Sequence, residues 1–207
     1  MTEVALVEQK AGQTPAGAAY RVARLISWIG HPLVFVSVSL AIIVGMRLAN
    51  RVGLSVLLAL IIAVVLPIAV LLIRGVRSGR WSDADVSVRA QRVHFYPRAI
   101  LLSLGGIATL WFLRAPGFIV RGALVTLALL VLAAIFNRFI KISLHAMFSF
   151  YCAVVLFAIS GLTGLSALIA ALLVAWSRIQ LRRHGFIEVL AGMAMGVLGG
   201  VAAAWWP

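Results

Sequence analysis

Apolar residues in this chain form long runs separated by short polar intervals. A helix needs about 20 mostly apolar residues to cross the hydrocarbon core of a bilayer. The runs reach or approach that length, and none alternates strictly between polar and apolar residues, which favours helices over barrel strands. We place candidate helices at roughly residues 27–49, 53–73, 99–114, 118–137, 146–160, 163–176 and 186–206. The pattern predicts an all-α, polytopic membrane bundle of about six or seven transmembrane helices.

The composition agrees with a membrane protein. Of the 207 residues, 64% are hydrophobic and 11% are charged, whereas soluble domains average about 45–50% apolar and about 25% charged residues. This balance argues against a large soluble module. The start of the chain is polar and lacks the short apolar core and small-residue cleavage site of a secretory signal. We therefore expect a polar N-terminal tail, 1–25, and a single transmembrane domain, 26–207.

The charge is strongly one-sided. The chain has 18 Lys and Arg residues against 5 Asp and Glu residues, a net charge of +13. In so apolar a chain this favours basic loops that face anionic membrane lipids, and we expect no nucleic-acid partner.

The basic residues also predict an orientation. The polar intervals 74–98, 137–145 and 177–185 are each separated by two crossings, so they fall on one side of the membrane, together with the tail. That side has every basic residue except Arg47, Arg51, Arg114 and Arg121. We predict a multi-pass protein of the cell membrane with this side in the cytoplasm.

The polar run after the sixth apolar stretch is the strongest candidate for chemistry. Ser177 and Arg178 are followed by His184 and Glu188. The His and the Glu are four residues apart, which brings them together on one face of a helix. A carboxylate on one imidazole nitrogen fixes the tautomer and makes the other nitrogen a better nucleophile or base, and a guanidinium binds phosphate oxygens in a fork. The alternative is an ordinary helix start, with Glu188 favoured by the helix dipole.

A second polar pair, Ser143 and His145, lies at the edge of another apolar stretch. It adds a hydroxyl and a second imidazole. Phosphoryl transfer needs a nucleophile, an acid for the leaving oxygen and positive charge around the phosphate oxygens. Taken alone, the pair is equally typical of an interfacial Ser and His without a role in catalysis.

A third interval contains Arg89 and Arg92, three residues apart, which would project together from a helix. The alternative is a solvated helix in which Ser82 begins a capping box with Asp85. On such a helix Asp85 would also pair with Arg89, four residues on.

Metal sites are harder to build from this sequence. Magnesium sites on lipid enzymes use carboxylates together with substrate phosphates, and only Asp83 and Asp85 are close together. Zinc needs three close ligands, which His145, His184 and Glu188 could just supply. The neighbouring arginines argue against a cation there, and we expect a metal-free site.

The type 2 phosphatidic acid phosphatase (PAP2) superfamily carries three motifs, K-x6-R-P, P-S-G-H and S-R-x5-H-x3-D. Two polar groups of this chain, the run from Ser177 to Glu188 and the pair Ser143 and His145, resemble the last two of these motifs. The third motif is matched by Ser177-Arg178, His184 and Glu188 with the family's spacing, with Glu in place of Asp. The second is matched by Ser143 and His145 without the Pro and the Gly.

The first motif is matched least. Arg92 fits its arginine, but Asp85 stands at the lysine position and Val93 at the proline. Arg89 is the candidate to supply the missing charge. The resemblance extends over roughly residues 80–200 and includes the all-helical plan.

The resemblance implies a division of labour. His184 would attack phosphorus and carry a phosphohistidine, Glu188 would orient it, and His145 would protonate the leaving alkoxide. The phosphate would be held by Arg92, Arg178 and Ser143, with Arg89 as a helper. The family usually needs no metal, so we expect neither a metal nor another cofactor.

We therefore expect a membrane lipid-phosphate phosphatase acting on a phospholipid or polyprenyl mono- or diphosphate. One alternative is a lipid-phosphate binder or transporter without turnover, because parts of the motifs are lost. Another is a lipid phosphotransferase that uses the same histidine.

Overall fold

The structure is a computed structural model that describes residues 17–48 and 51–205. Within these ranges the chain forms eight helices and no strand. They are α1 (Ala18–Ile29), α2 (Pro32–Arg47), α3 (Arg51–Arg77, with a π-helical turn at Ile61–Val65), α4 (Arg89–Phe112), α5 (Gly117–Phe136), α6 (Leu144–Phe157), α7 (Gly161–Gln180) and α8 (Phe186–Trp205).

The described residues contain five or six candidate membrane spans, against the six or seven predicted. Five helices, α3, α4, α5, α7 and α8, are long and apolar enough to cross a membrane, and α1 with α2 makes a sixth if the bent pair is one span. The helix α6 has only 14 residues and is shorter than a full span. The predicted all-α polytopic bundle is confirmed.

The first predicted helix, 27–49, is broken. The axes of α1 and α2 differ by 55°, and the break lies at Gly30 and His31. Pro32 opens α2, where its missing N–H costs nothing, and His31 Nδ1 accepts a hydrogen bond from the Leu33 N–H at 3.3 Å. The expected boundary between tail and membrane domain at residue 25 falls inside α1, and residues 1–16 lie outside the described ranges.

The helix α4 begins ten residues earlier than predicted, at Arg89 instead of residue 99. The alternative of a capping box at Ser82 does not form, because residues 81–88 are outside any helix and Val88 occupies the N-cap position. Trp81 and Val86 are buried, so this loop folds onto the end of the bundle. Asp85 therefore lies in the loop before α4 and pairs with residues other than Arg89.

The helix α6 is the centre of the bundle. Its first ten residues, Leu144–Ala153, are all buried, and it packs most extensively against α8 and α7. Glycines on α8 allow the close approach: a Cβ atom at Gly192 would lie 2.6 Å from the Ser143 carbonyl oxygen. This packing brings the N-terminus of α6 beside the N-terminus of α8, where the Ser143 N–H donates to the Glu188 carbonyl at 3.1 Å.

The three polar intervals meet at one end of the bundle, as the sequence predicted. Lys141 Nζ donates to the Arg183 carbonyl at 2.6 Å, which joins the loops before α6 and α8. Arg183 Nη1 donates to Asp83 Oδ2 at 2.8 Å, which joins the α7–α8 loop to the α3–α4 loop. The resulting assembly of loops forms the candidate site.

Candidate active site

His184 is held by the loop that leads into α8. Its Nδ1 lies 2.9 Å from Glu188 Oε2 and 3.1 Å from the Lys141 carbonyl oxygen. Both partners are acceptors, so we assign the ring proton to Nδ1. The Nε2 atom is then left with its lone pair. Glu188 Oε2 also accepts the Gly185 N–H at 3.2 Å, which fixes the carboxylate at the first turn of α8.

The surroundings of His184 keep the imidazole neutral. Burial, together with the positive charges of Arg92, Arg178 and Lys141, lowers the pKa of His184 to about 2. A neutral imidazole with its proton on Nδ1 presents a nucleophilic Nε2 at neutral pH. The contact expected from the four-residue spacing of His184 and Glu188 is thus present, but His184 lies in the loop before α8 and not on the helix.

Arg92 lies against the open nitrogen of His184. Its Nη2 is 3.4 Å from His184 Nε2. The Nε donates to the Val86 carbonyl at 2.9 Å, and Nη1 donates to the Ile142 carbonyl at 2.6 Å. These two bonds hold a nearly fully buried guanidinium in one orientation, so the least-matched motif still delivers its arginine to the site.

Arg178 is completely buried at the end of α7. Its Nη1 donates to Asp85 Oδ2 at 2.7 Å and also to Ser27 Oγ of α1. Its Nε and Nη2 have no hydrogen-bond partner among the described residues. Because an unpaired buried donor costs about 1–3 kcal/mol, these atoms are suited to receive an anionic ligand.

Ser143 and His145 stand at the start of α6. Ser143 Oγ caps the helix by accepting the Ala146 N–H at 3.4 Å. The His145 side chain is buried, its Nε2 has no hydrogen-bond partner in the described part of the chain, and that atom lies 3.6 Å from Asp85 Oδ1. The ring of His31 meets it edge-on, with centroids 5.4 Å apart.

Arg89, the proposed helper, is turned away from these groups. Its Nε donates to the Asn137 carbonyl at 2.7 Å, and its Nη2 donates to the Arg138 carbonyl. The residue is exposed. These bonds attach the start of α4 to the loop before α6. Arg89 therefore has a structural role and does not face the phosphate-binding groups.

Four residues at the site were not among the predicted site residues: Ser27, His31, Lys141 and Asp85. Ser27 and His31 lie on the α1–α2 segment, whose break brings it over the N-terminus of α6. Lys141 Nζ lies 3.7 Å from Glu188 Oε2; its place in the polar interval 137–145 was the available signal. For Asp85 the sequence offered a helical ion pair with Arg89 as an alternative and gave no sign that the loop would fold inward.

One trio could hold a metal ion. His31, Asp85 and His145 form the group of potential ligands found in the described ranges, with ligand atoms within 4.8 Å of one another. Two imidazoles and a carboxylate suit a divalent transition ion. Arg178 already donates to Asp85, however, and His31 Nδ1 already accepts a backbone N–H. The donor set therefore fits an ion-paired, anion-binding cluster better than a metal centre.

A cavity of about 110 Å³ adjoins the site, with His31, Asp85, Arg92 and His145 in its wall and mostly apolar residues elsewhere. A larger cavity of about 320 Å³ lies beyond it between the helices. The two share wall residues Val36, Val64, Val65, Ser103 and Thr126, so they adjoin inside the bundle.

The larger cavity extends towards the opposite end of the bundle. Arg47, at the end of α2, and Arg121, in the first turns of α5, are both in its wall. The site lies at the other ends of these two helices. An apolar path therefore leads away from the polar cluster through much of the membrane domain.

Comparisons with known proteins agree with this geometry. Residues 134–207 match the family model described as PAP2 superfamily, a stretch that contains Ser143, His145, Arg178, His184 and Glu188. No curated protein and no solved structure matches the chain. The stretch 134–207 is therefore similar to the PAP2 superfamily.

Proposed function

We propose that this chain is a membrane lipid-phosphate phosphatase that works through a phosphohistidine on His184. Membership of the PAP2 superfamily generally means phosphatase activity. The observation that carries the proposal is the state of His184: Nδ1 is tied to Glu188 at 2.9 Å, and the Nε2 lone pair faces Arg92 Nη2 at 3.4 Å, a bond that the phosphate of a substrate would replace. This combination provides a nucleophile and the positive charge that a transferred phosphoryl group requires.

The proposed reaction has two steps. In the first, His184 Nε2 bonds to phosphorus, the bond from phosphorus to the lipid oxygen breaks, and His145 gives a proton to that oxygen. In the second, water attacks phosphorus, His145 takes a proton from the water, and the electron pair of the P–N bond returns to His184. Arg92 and Arg178 bind the phosphate oxygens in both steps, with Ser143 beside them.

The adjoining cavities support a lipid as the substrate. The wall of the cavity beside the site is polar at His31, Asp85, Arg92 and His145 and mostly apolar elsewhere. A phosphate placed at the polar part would leave its hydrocarbon chain next to apolar walls, which is favourable by about 25 cal/mol per Å² of apolar surface removed from water. Phospholipid and polyprenyl phosphates both have this amphiphilic form.

The test is phosphate release by the purified full chain in detergent or lipid nanodiscs. Phosphatidate, phosphatidylglycerol phosphate and a polyprenyl phosphate are offered to the wild type, to His184→Ala and to His94→Ala. His94 is an exposed histidine on α4 and serves as the matched control. The proposal requires release by the wild type and His94→Ala and loss in His184→Ala; equal release by the wild type and His184→Ala would reject it.

Two alternative functions predict different results. A lipid-phosphate binder without turnover is the second candidate, because the Lys, Pro and Gly of the motifs are lost and Asp85, at the lysine position, pairs with Arg178, one of the positive charges that phosphoryl transfer needs. Such a protein would bind phospholipid tightly but form no acid-labile phosphohistidine. A phosphotransferase would form that intermediate and turn over only when an acceptor alcohol is added.

A further inference from the structure

The reaction described above gives no role to Asp85, although this residue lies inside the site. It is seven residues before Arg92, where the resemblance places a lysine. We propose that Asp85 is a positioning residue that acts through His145, as the counter-charge that keeps on this imidazole the proton destined for the leaving oxygen. The inference rests on the proposed phosphatase function and deepens it.

The geometry gives each oxygen of the carboxylate a separate neighbour. Asp85 Oδ2 accepts from Arg178 Nη1 at 2.7 Å, and Oδ1 lies 3.6 Å from His145 Nε2. The guanidinium therefore fixes the carboxylate while one oxygen remains directed at the imidazole. The distance of 3.6 Å exceeds a hydrogen bond, so Oδ1 lies close to Nε2 without accepting a proton from it.

The other groups that face His145 are cationic or neutral. Arg178 approaches from α7, Arg92 from α4, His184 from the α7–α8 loop and His31 from the α1–α2 break. Burial and these neighbours lower the pKa of His145 well below its usual value, whereas a nearby carboxylate favours the imidazolium ion. Asp85 is the acidic residue placed to offset these cations, because Glu188 is engaged with His184, Lys141 and the Gly185 N–H.

The site therefore contains two histidine–carboxylate pairs with opposite tasks. Glu188 accepts the Nδ1 proton of His184 and leaves Nε2 as a nucleophile. Asp85 faces Nε2 of His145 and favours the protonated ring. The family's lysine would add positive charge at this position. This chain instead has the negative charge of Asp85, which acts on His145, the general acid. Arg92 and Arg178 remain to bind the phosphate.

One proton passes through His145 in each turnover. Before the first step the phosphate of the substrate, an anion, adds to the effect of ionised Asp85, and His145 carries a proton on Nε2. When the bond from phosphorus to the lipid oxygen breaks, its electron pair stays on the oxygen and takes that proton, which leaves His145 neutral. In the second step neutral His145 removes a proton from the attacking water, which restores its pairing with Asp85.

The test compares leaving groups of different basicity. An alkyl alkoxide needs a proton to depart, whereas p-nitrophenolate leaves without one. We expect Asp85→Asn to lower kcat about 100-fold on dioctanoyl phosphatidate, within the usual range for general acid catalysis. On p-nitrophenyl phosphate the loss should be less than about tenfold, KM should change little for either substrate, and Asp85→Glu should recover part of kcat.

A double-variant cycle tests the route through His145. If Asp85 acts through that ring, Asp85→Asn should cost almost nothing further in a His145→Ala background. Full additivity would overturn the proposal. Asp83→Asn is the matched control, because Asp83 lies in the same loop but pairs with Arg183 and Ser87; it should alter both substrates equally.

Two other outcomes would also overturn it. If Asp85 only anchors Arg178, both substrates lose equally, mainly through KM. If Asp85 competes with the phosphate for Arg178, Asp85→Asn raises kcat/KM and tightens inhibition by inorganic phosphate. Failure of the proposed function is separate: the wild type and His184→Ala would then be equally inactive before any Asp85 variant is measured.

Discussion

Arg92 Nη2 lies 3.4 Å from His184 Nε2, although 92 residues separate the two in sequence. Arg92 lies outside the stretch that matches the family model, and His184 lies inside it. The contact therefore joins the stretch that matches the family model to a stretch outside it. It places the Arg92 guanidinium within hydrogen-bond distance of the candidate nucleophile and leads to the first prediction.

Arg92→Lys should reduce phosphatase activity by about 100-fold or more. A lysine keeps the charge but loses the planar fork and cannot make the bonds to the Val86 and Ile142 carbonyls while facing His184. The measurement is kcat/KM for a lipid phosphate, together with the thermal midpoint of the purified protein to verify folding. A folded Arg92→Lys variant with wild-type kcat/KM would contradict this role.

Arg89→Ala provides the contrast. Because Arg89 is exposed and bonds to the Asn137 and Arg138 carbonyls, its loss should lower the thermal midpoint by a few degrees and change kcat/KM by less than about threefold. Activity assays of the two variants side by side distinguish a phosphate ligand from a structural tie. A loss of activity as large as in Arg92→Lys would restore Arg89 as the substitute for the lysine.

The sequence predicted the fold class because apolar run length, a local feature, identifies membrane helices. Most residues of the candidate site were singled out by their type and by the resemblance to a family, although several of their contacts are long-range. His184 meets Glu188 from the loop before α8 and not on a helix. The predictions were wrong where tertiary contacts decide. The start of α4 at Arg89 and the inward-folded loop with buried Trp81 depend on packing that no local pattern records.

Asp85 and His31 illustrate the same limit at the site. Asp85 matches a helical ion pair with Arg89 by spacing, yet its partner is Arg178, 93 residues away. His31 appeared as a residue of a continuous helix, and only the 55° bend between α1 and α2 brings it against His145. Long-range ion pairs and helix breaks arise from the whole bundle and have no short-range signature.

The free energy of unfolding should fall as the pH is lowered through 6, and protonation of His184 in the unfolded state should account for part of this decrease. The folded pKa of His184, about 2, is below the value of about 6.5 in an unfolded chain. As the pH falls, the unfolded state therefore binds the proton on His184 before the folded state does. The contribution of His184 to the free energy of unfolding is complete above pH 6.5 and is lost towards pH 2. The slope for one such group reaches about 1.4 kcal/mol per pH unit.

The measurement is the thermal midpoint between pH 5 and pH 8 for the wild type and for His184→Asn. Asparagine can still donate to Glu188 but does not titrate, so its midpoint should depend less steeply on pH. Identical pH dependence in the two proteins would show that His184 is not held neutral.

Filling the junction of the two cavities should affect long lipid chains selectively. Ser103 is buried on α4 and lies in the wall of both cavities. Ser103→Leu adds volume there, so KM for a long-chain lipid phosphate should rise several-fold relative to KM for a short-chain one. Assays with a series of chain lengths measure the ratio, and a ratio equal to that of the wild type would exclude the cavities as the chain-binding path.

If the bias of basic residues sets the orientation, a cysteine at the site end of the bundle should react with a thiol reagent only from the cytoplasm. Ser78 is exposed in the loop after α3, at the site end, and Leu113 is exposed between α4 and α5, at the opposite end. In intact cells a membrane-impermeant thiol reagent should label Leu113→Cys and spare Ser78→Cys, and permeabilisation should expose the second. Cys152 is buried and should contribute little labelling. Labelling of Ser78→Cys in intact cells would put the phosphate chemistry on the outer face, where the proposed enzyme would act on lipid phosphates exposed outside the cell.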